Sequence, residues 1–300
     1  MMPPFLKSNS LIHIISPSGA IDAEYIDKAT IVLEQWGFRV SVGQFAKSKW
    51  GRFAGTKEER ISDLQLALDN PEVEAILCSR GGYGVSQIID KIDFSKFTVF
   101  PKWLIGFSDI TILHNAITQL GIASIHSIMA KDISELAIES NPVKGLKQIL
   151  MGNLPTYVFP NHELNHVGNA SGKLIGGNLS VLAGMCGTPY DLVYRNNILF
   201  IEDIGEKPYQ IDRMIQNLRL GAVFNEISGL VVGQFSDCEE DELMNQSIYE
   251  IINEAVGENT YPVCFDFQAG HIDNNLPLIL GADTQLVVSA DDVRLSCSLS

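Results

Sequence analysis

The sequence predicts a two-domain α/β protein, a parallel sheet with helices on both faces followed by a smaller, strand-rich mixed α/β domain. Three observations predict it. The chain has 300 residues, which favours two domains at the usual size of about 100–200 residues each. Short apolar strands alternate with helical patterns up to about residue 140, the signature of a parallel sheet. Beyond that point the rhythm changes to short β-type segments separated by Gly, Asn and Asp.

In the first half, Leu11–Ser16 reads as a strand and Ala23–Trp36 as a helix, with apolar Ile26, Ala29, Val32, Leu33 and Trp36 on one face and Gly37 ending it. Phe38–Val42 is a second strand. Thr56 opens the helix Lys57–Leu68, and Glu59 three residues later completes a capping box. Glu74–Ser79 is an apolar strand followed at once by Arg80-Gly81-Gly82-Tyr83-Gly84, after which Val85–Ile92 resumes as a helix. Trp103–Phe107 is a strand that turns at Ser108 into the helix Ile110–Leu120. The spacing therefore predicts a Rossmann-like N-terminal domain over residues 1–150. Pro155, Pro160 and the polar run Asn161–Asn169 mark a connection at 151–164. A mixed domain over 165–300 follows, with β segments at Gly172–Ile175, Ile198–Ile201, Ser228–Val232, Val263–Phe267, Pro277–Leu280 and Gln285–Val288. Helices are expected near Leu179–Cys186, at Tyr209–Leu220 and over Glu242–Val256.

Composition excludes several classes. Hydrophobic residues make up 46% and charged residues 19%, a globular balance without a disordered signature. The net charge of −15 repels phosphate backbones, so nucleic acid is not an expected partner. The five cysteines form no C-x-x-C pair and no His/Cys cluster, so neither a zinc site nor a disulfide framework is expected, and a reducing compartment fits. The run Leu11–Ile15 is too short for a secretory signal, and no apolar stretch approaches about 18 residues. A cytoplasmic chain without membrane contact is the expectation.

Two segments carry chemistry. In Gly106-Phe107-Ser108-Asp109, a serine sits between a buried strand and a helix, at the carboxyl edge where parallel sheets place their sites. The N–H groups that follow belong to a helix start and suit a developing oxyanion. A G-x-S-x-G elbow is not met, because Ile110 follows Asp109, and a serine N-cap is an open alternative. Ser79-Arg80-Gly81-Gly82-Tyr83-Gly84 lets backbone approach a ligand closely. It lacks the spacing of a phosphate loop, and it can equally be an oxyanion donor beside Ser108 or a tight structural turn. A serine needs a base and the base an orienting partner. Glu202-Asp203 ends a buried strand and His271 lies in a Gly, Asp and Asn-rich turn, though a solvated strand end and a polar loop histidine are alternatives. Among the other histidines, His13 reads as core, His114 falls on the helix after Ser108, and His126 is a rival base. His162 and His166 read as solvated.

Taken together and in order, these segments resemble the LD-carboxypeptidases, or muramoyltetrapeptide carboxypeptidases, the serine peptidase family that includes microcin C immunity-type enzymes. The resemblance covers nearly the whole chain, from Ile15-Ser16-Pro17-Ser18-Gly19 through the Gly-rich turn and the Ser108 motif. It continues with Gly176-Gly177-Asn178-Leu179, Leu199-Phe200-Ile201-Glu202-Asp203, Pro208-Tyr209-Gln210-Ile211-Asp212-Arg213-Met214 and Gly270-His271. It implies a nucleophile Ser108, a base His271, an orienting Glu202, oxyanion donors from the backbone of Gly82 and Asp109, and a site assembled from both domains. Arg80 and Tyr83 are the expected substrate-binding residues, with a structural salt bridge the alternative for Arg80. No metal or cofactor is implied. The implied substrate is a peptidoglycan-derived tetrapeptide that loses a terminal D-alanine, and a homodimer is implied. Alternatives are a same-fold peptidase acting on peptidyl-nucleotide, microcin-type substrates and a non-catalytic peptide-binding homologue. One departure stands out: where the family commonly shows His-Gly-Pro-Met, this chain has His126-Ser127-Ile128-Met129, so loop shape there is expected to differ.

Overall fold

The computed structural model describes residues 1–239 and 241–298. The chain divides into two compact units, Met1–Asn153 with Leu276–Leu278, and Leu154–Asn275 with Ile279–Ser300. In chain order the strands are β1 (Leu11–Ile15), β2 (Arg39–Val42), β3 (Val73–Cys78), β4 (Trp103–Gly106), β5 (Ser124–His126), β6 (Thr156–Pro160) and β7 (Gly168–Asn178). They continue with β8 (Ile198–Ile204), β9 (Gly229–Ser236), β10 (Val263–Cys264), β11 (Leu278–Leu280), β12 (Asp283–Val288) and β13 (Asp292–Cys297).

The first sheet has the order β11-β5-β4-β3-β1-β2, and every neighbouring pair among β1 to β5 is parallel. β4 is buried along its whole length and β3 at all but Glu74, the near-continuous apolar run that a sheet covered on both faces requires. The order reverses beside β1, with β3 on one side and β2 on the other. Ligands of open α/β sheets bind outside the carboxyl ends of the strands at such a reversal. The helix Lys57–Asp69 carries the predicted capping box: Glu59 N–H donates to Thr56 Oγ1 at 3.3 Å, and Thr56 N–H to Glu59 Oε2 at 2.7 Å. The helix predicted over Val85–Ile92 is instead two 3₁₀ turns, Val85–Gln87 and Ile89–Lys91. The Gly84 carbonyl explains the tighter turn, since it accepts from Gln87 N–H at 3.1 Å and from Arg60 Nη1 at 2.9 Å.

The second sheet has the order β10-β9-β8-β7-β12-β13-β6. β7 joins its two halves: Leu174–Asn178 pair in parallel with β8, while Gly168–Lys173 pair antiparallel with β12. Ile175, Leu199, Ile201, Leu230 and Val232 pack with Ile211, Ile215 and Leu218 of the helix Pro208–Leu220 and with Ile252 of the helix Ile248–Val256. Burying such a side chain contributes about 1.5–3 kcal/mol.

Several expectations need correcting. The segment 151–164 contains β6, which pairs with β13; its flanking prolines mimic a linker because an edge strand tolerates proline. The β segment expected at Pro277–Leu280 within the second domain starts in the first unit, to which Leu276–Leu278 belong. The helix expected over Glu242–Val256 starts at Ile248, where Ser247 and Glu250 form a capping box; Asn245, at φ +53°, interrupts the pattern before it. His162 and His166 are half-buried, His166 Nε2 lying 2.8 Å from Asn253 Oδ1. All five cysteines are free thiols. Among the described residues, no helix is long and apolar enough to cross a membrane.

Gly176 has φ +124°, and a Cβ placed there would lie 1.9 Å from the Phe200 carbonyl oxygen on β8. Gly176→Ala is therefore expected to cost about 3 kcal/mol or more, combining backbone strain with overpacking. Urea unfolding measures it, and an unchanged midpoint would contradict the strand packing.

Candidate active site

β4 ends at Gly106, Phe107 is extended, and Ser108 then adopts φ +65°, a left-handed conformation rare for a residue with a Cβ. A 3₁₀ turn over Ser108–Ile110 leads into the helix Thr111–Gln119, whose N-cap position is Ile110 rather than Ser108. The N-cap alternative for Ser108 is thereby set aside. The Gly-rich turn lies directly against this side chain: a Cβ on Gly81 would sit 2.7 Å from Ser108 Cβ and 2.9 Å from its Oγ.

Buried polar contacts hold the two turns together. Asp109 Oδ2 accepts from Ser18 Oγ at 2.5 Å and from Val85 N–H at 2.9 Å, joining the loop after β1 to the Gly-rich segment and the serine turn. Burial pushes the Asp109 carboxyl above its ordinary range, and the Arg60 guanidinium opposes this in part. Arg60, only 1% exposed, donates from Nη1 to the carbonyls of Pro17 at 3.0 Å and Gly84 at 2.9 Å, and from Nη2 to Gln87 Oε1 at 3.0 Å. Its guanidinium also lies over the Phe53 ring, 4.9 Å from the centroid. Sequence reasoning missed Arg60 and Ser18. The available signal for Arg60 was a charge on the same helix face as the buried Leu64, Ala67 and Leu68.

Arg80, Gly82 and Tyr83 line a cavity of about 610 Å³ together with Lys49, Arg52 and Lys131. Arg80 Nη1 donates to the Ala20 carbonyl at 3.1 Å. Among the described residues Arg80 forms no ion pair, so the salt-bridge alternative is not realised there. Tyr83 is 47% exposed and its ring packs 6.0 Å from that of Phe53.

In the second unit, Glu202 and Asp203 part company because successive side chains on β8 point to opposite faces. Glu202 is fully buried, and its Oε2 lies 2.7 Å from His271 Nδ1. Two glycines make room for it: a Cβ on Gly270 would meet Glu202 Oε2 at 2.9 Å, and one on Gly233 would meet Glu202 Cβ at 3.2 Å. Gly270 N–H donates to Asn275 Oδ1 at 3.0 Å, and the His271 carbonyl accepts from Ser236 Oγ at 2.9 Å, which fixes the histidine turn. Asp203 instead accepts from Asn178 Nδ2 and from Ser180 N–H, both at 2.8 Å, locking β8 to the start of the helix Leu179–Met185. Burial raises the Asp203 carboxyl to about 6.

The remaining histidines have other surroundings. His126 ends β5 fully buried, with its ring 5.7 Å from that of Phe107. Ser127 beside it is buried, and Met129 N–H donates to Asp132 Oδ2 at 2.8 Å where the helix Ala130–Glu135 begins. His114 is buried between the Gly106 carbonyl and Ser124 Oγ, each 2.8 Å from a ring nitrogen. Among the described residues, no three His, Cys, Asp or Glu side chains are grouped to hold a metal ion.

A serine on a left-handed turn at the edge of a parallel sheet and a carboxylate-backed imidazole are the components of a serine-type hydrolase. The chain belongs to the LD-carboxypeptidase family, serine-type peptidases: the family's N-terminal domain matches residues 12–127 and its C-terminal domain residues 171–286. It is similar to a probable murein peptide carboxypeptidase of Bacillus subtilis, at 34% identity over 93% of this chain and 89% of that protein. A murein tetrapeptide carboxypeptidase of Pseudomonas aeruginosa is 30% identical over 87% of each chain. The crystal structure of muramoyltetrapeptide carboxypeptidase from Oxalobacter formigenes matches with a TM-score of 0.89 at 27% identity, covering 96% of this chain and 99% of that one.

Burial lowers the His114 pKa from 6.5 to about 4. The unfolded chain therefore binds a proton near pH 6.5 that the folded chain refuses until about pH 4, so stability falls as pH drops through this window. The loss attributable to His114 is about 3 kcal/mol. Urea titrations between pH 7 and pH 4 should show a shallower decline in His114→Gln than in the wild type; equal slopes would refute the assignment.

Proposed function

We propose that the chain hydrolyses the amide bond between an L-centre and a terminal D-residue, releasing D-alanine from peptidoglycan-derived tetrapeptides in cell-wall recycling. The observation that carries this reading is the 2.7 Å contact between His271 Nδ1 and Glu202 Oε2. With Nδ1–H donating to the carboxylate, Nε2 is the acceptor nitrogen of the ring, as a general base requires. Glu202 Oε1 is buried without a hydrogen-bond partner among the described residues, so the carboxylate is poorly solvated and gains from positive charge on the imidazole.

In this reading Ser108 Oγ attacks the carbonyl carbon as His271 Nε2 takes its proton. The backbone N–H groups of Gly82 and Asp109 receive the oxyanion, each such donor lowering the barrier by about 2.7–4 kcal/mol. His271 then passes the proton to the departing nitrogen, D-alanine leaves, and a water activated by the same imidazole resolves the acyl-enzyme. Arg80 holds the terminal carboxylate and Tyr83 flanks it; their support is that both line the cavity beside the Gly-rich turn. We also propose a cytoplasmic location, which the five free thiols favour, and a homodimer, for which the family resemblance is the ground.

Ser108→Ala and His271→Ala are each expected to lower D-alanine release by about 10⁴-fold or more, and Glu202→Gln by about 10³–10⁴-fold, with unfolding midpoints close to wild type. Chromatographic detection of free D-alanine from a tetrapeptide measures this, with an aminoacyl-sulfamoyl adenylate assayed in parallel. Turnover retained by Ser108→Ala would remove the serine from its role, and cleavage of the adenylate alone would replace the substrate.

A further inference from the structure

Opposite Glu202 the second sheet is irregular. Ile201 on β8 pairs with Val232 on β9, yet Asp203 pairs with Phe235, so Gly233 and Gln234 together stand opposite Glu202. A bulge of this kind carries an extra residue, bends its strand and re-aims a side chain. This one is where β9 takes hold of the segment that leads into His271. The Val232 carbonyl accepts from Phe267 N–H, and Gln234 N–H donates to the Ala269 carbonyl, both at 3.0 Å. The Gln234 carboxamide reaches the same segment, with Nε2 2.7 Å from Asp266 Oδ1 and 3.2 Å from the Phe267 carbonyl oxygen. Gly233 permits the close approach, since a Cβ there would lie 2.6 Å from the Ala269 carbonyl oxygen. The Tyr249 hydroxyl donates to the Gly233 carbonyl at 3.1 Å, which ties the bulge to the helix Ile248–Val256.

We propose that Gln234 is a positioning residue for the general base: its carboxamide, bridging Asp266 and the Phe267 carbonyl, sets the turn from which His271 presents Nδ1 to Glu202. This rests on the peptidase reading above. Gln234 makes no contact with the substrate in this role and acts through the turn. Asp266 has φ +60°, a left-handed backbone that persists only where neighbouring structure holds it. The far end of the turn is held separately, by Ser236 Oγ on the His271 carbonyl, so the carboxamide governs the near end. Its chemistry suits the task. One planar amide offers two N–H donors, which matches two acceptors and adds no charge beside the Glu202–His271 pair. A hydroxyl would serve only one of them. A displacement of about 1 Å at the imidazole is enough to cost about 10²-fold in rate, and it lengthens the contact that fixes which ring nitrogen carries the proton.

Gln234→Met tests this, because it keeps the length of the side chain and removes both donors. Release of D-alanine is expected to fall about 10–100-fold in kcat with KM within about twofold. In ¹⁵N NMR of histidine-labelled protein, with His271→Gln giving the assignment, the neutral wild-type ring should be protonated on Nδ1. In Gln234→Met the proton should redistribute toward Nε2, the nitrogen favoured when no acceptor faces Nδ1. A side chain that only supports the fold would lower the unfolding midpoint without moving the tautomer. Gln234→Glu gives the second measure should the apolar variant unfold: it is isosteric, it sets an acceptor where the donors were, and the same two signals should move. An unchanged tautomer, or a kcat within twofold of wild type, overturns the proposal. A wild-type ring protonated on Nε2 overturns it together with the Glu202 contact. Failure of wild type to release D-alanine overturns the peptidase reading, whereas the tautomer, read without substrate, still decides whether Gln234 holds the ring on Glu202.

Discussion

Ser108 is held in a left-handed backbone conformation that an L-residue adopts at a cost of about 1–3 kcal/mol. Such a conformation persists only when neighbouring structure over-determines it. Much of the polar framework at the carboxyl edge of the first sheet serves that end. Gly81 leaves the space that Ser108 Cβ occupies. Asp109 ties the turn to Ser18 and Val85. Arg60 in turn anchors the Pro17 and Gly84 carbonyls, so that the loops flanking the serine have fixed backbones. Each of these partners is buried, where an unmade hydrogen bond costs about 1–3 kcal/mol. The contacts therefore act together, and relaxing the serine turn would expose several of them to that penalty at once.

The second unit solves a different problem with adjacent carboxylates. Glu202 and Asp203 are both buried, and two neighbouring negative charges in a low dielectric repel. Strand alternation separates them, and each receives its own kind of partner. Asp203 accepts hydrogen bonds from backbone and an amide, which fix a helix start to a strand end. Glu202 faces an imidazole, a group able to take up charge, and keeps one oxygen without a donor among the described residues. Asp203, with the fuller hydrogen-bond set, ties a strand end to a helix start, and Glu202, with the poorer one, backs the histidine ring.

What the sequence made legible follows from how local each signal is. The parallel sheet was readable because β3 and β4 are apolar runs bounded by turn residues, and the capping box at Thr56 is a three-residue pattern. The segments around Ser108, Glu202 and His271 were readable because they stand at strand ends and beside glycines. β6 was not, since an edge strand with alternating burial and prolines beside it resembles a linker. Nor was the 3₁₀ geometry after Gly84, which depends on Arg60, distant in sequence. The cations of the cavity escaped for the same reason. Lys49 and Arg52 share one unremarkable stretch and Lys131 lies in another, and the strand order brings them beside Arg80.

That last point joins topology to chemistry. In a sheet ordered β5-β4-β3-β1-β2 with every strand parallel, all loops that follow strands leave from one edge. The chain reverses direction of growth beside β1, which opens a crevice between the loops after β1 and β3. A strained serine turn after β4, a glycine turn after β3 and cations after β2, β3 and β5 are therefore not independent placements. The edge that presents Ser108 is also where side chains from successive strand ends converge.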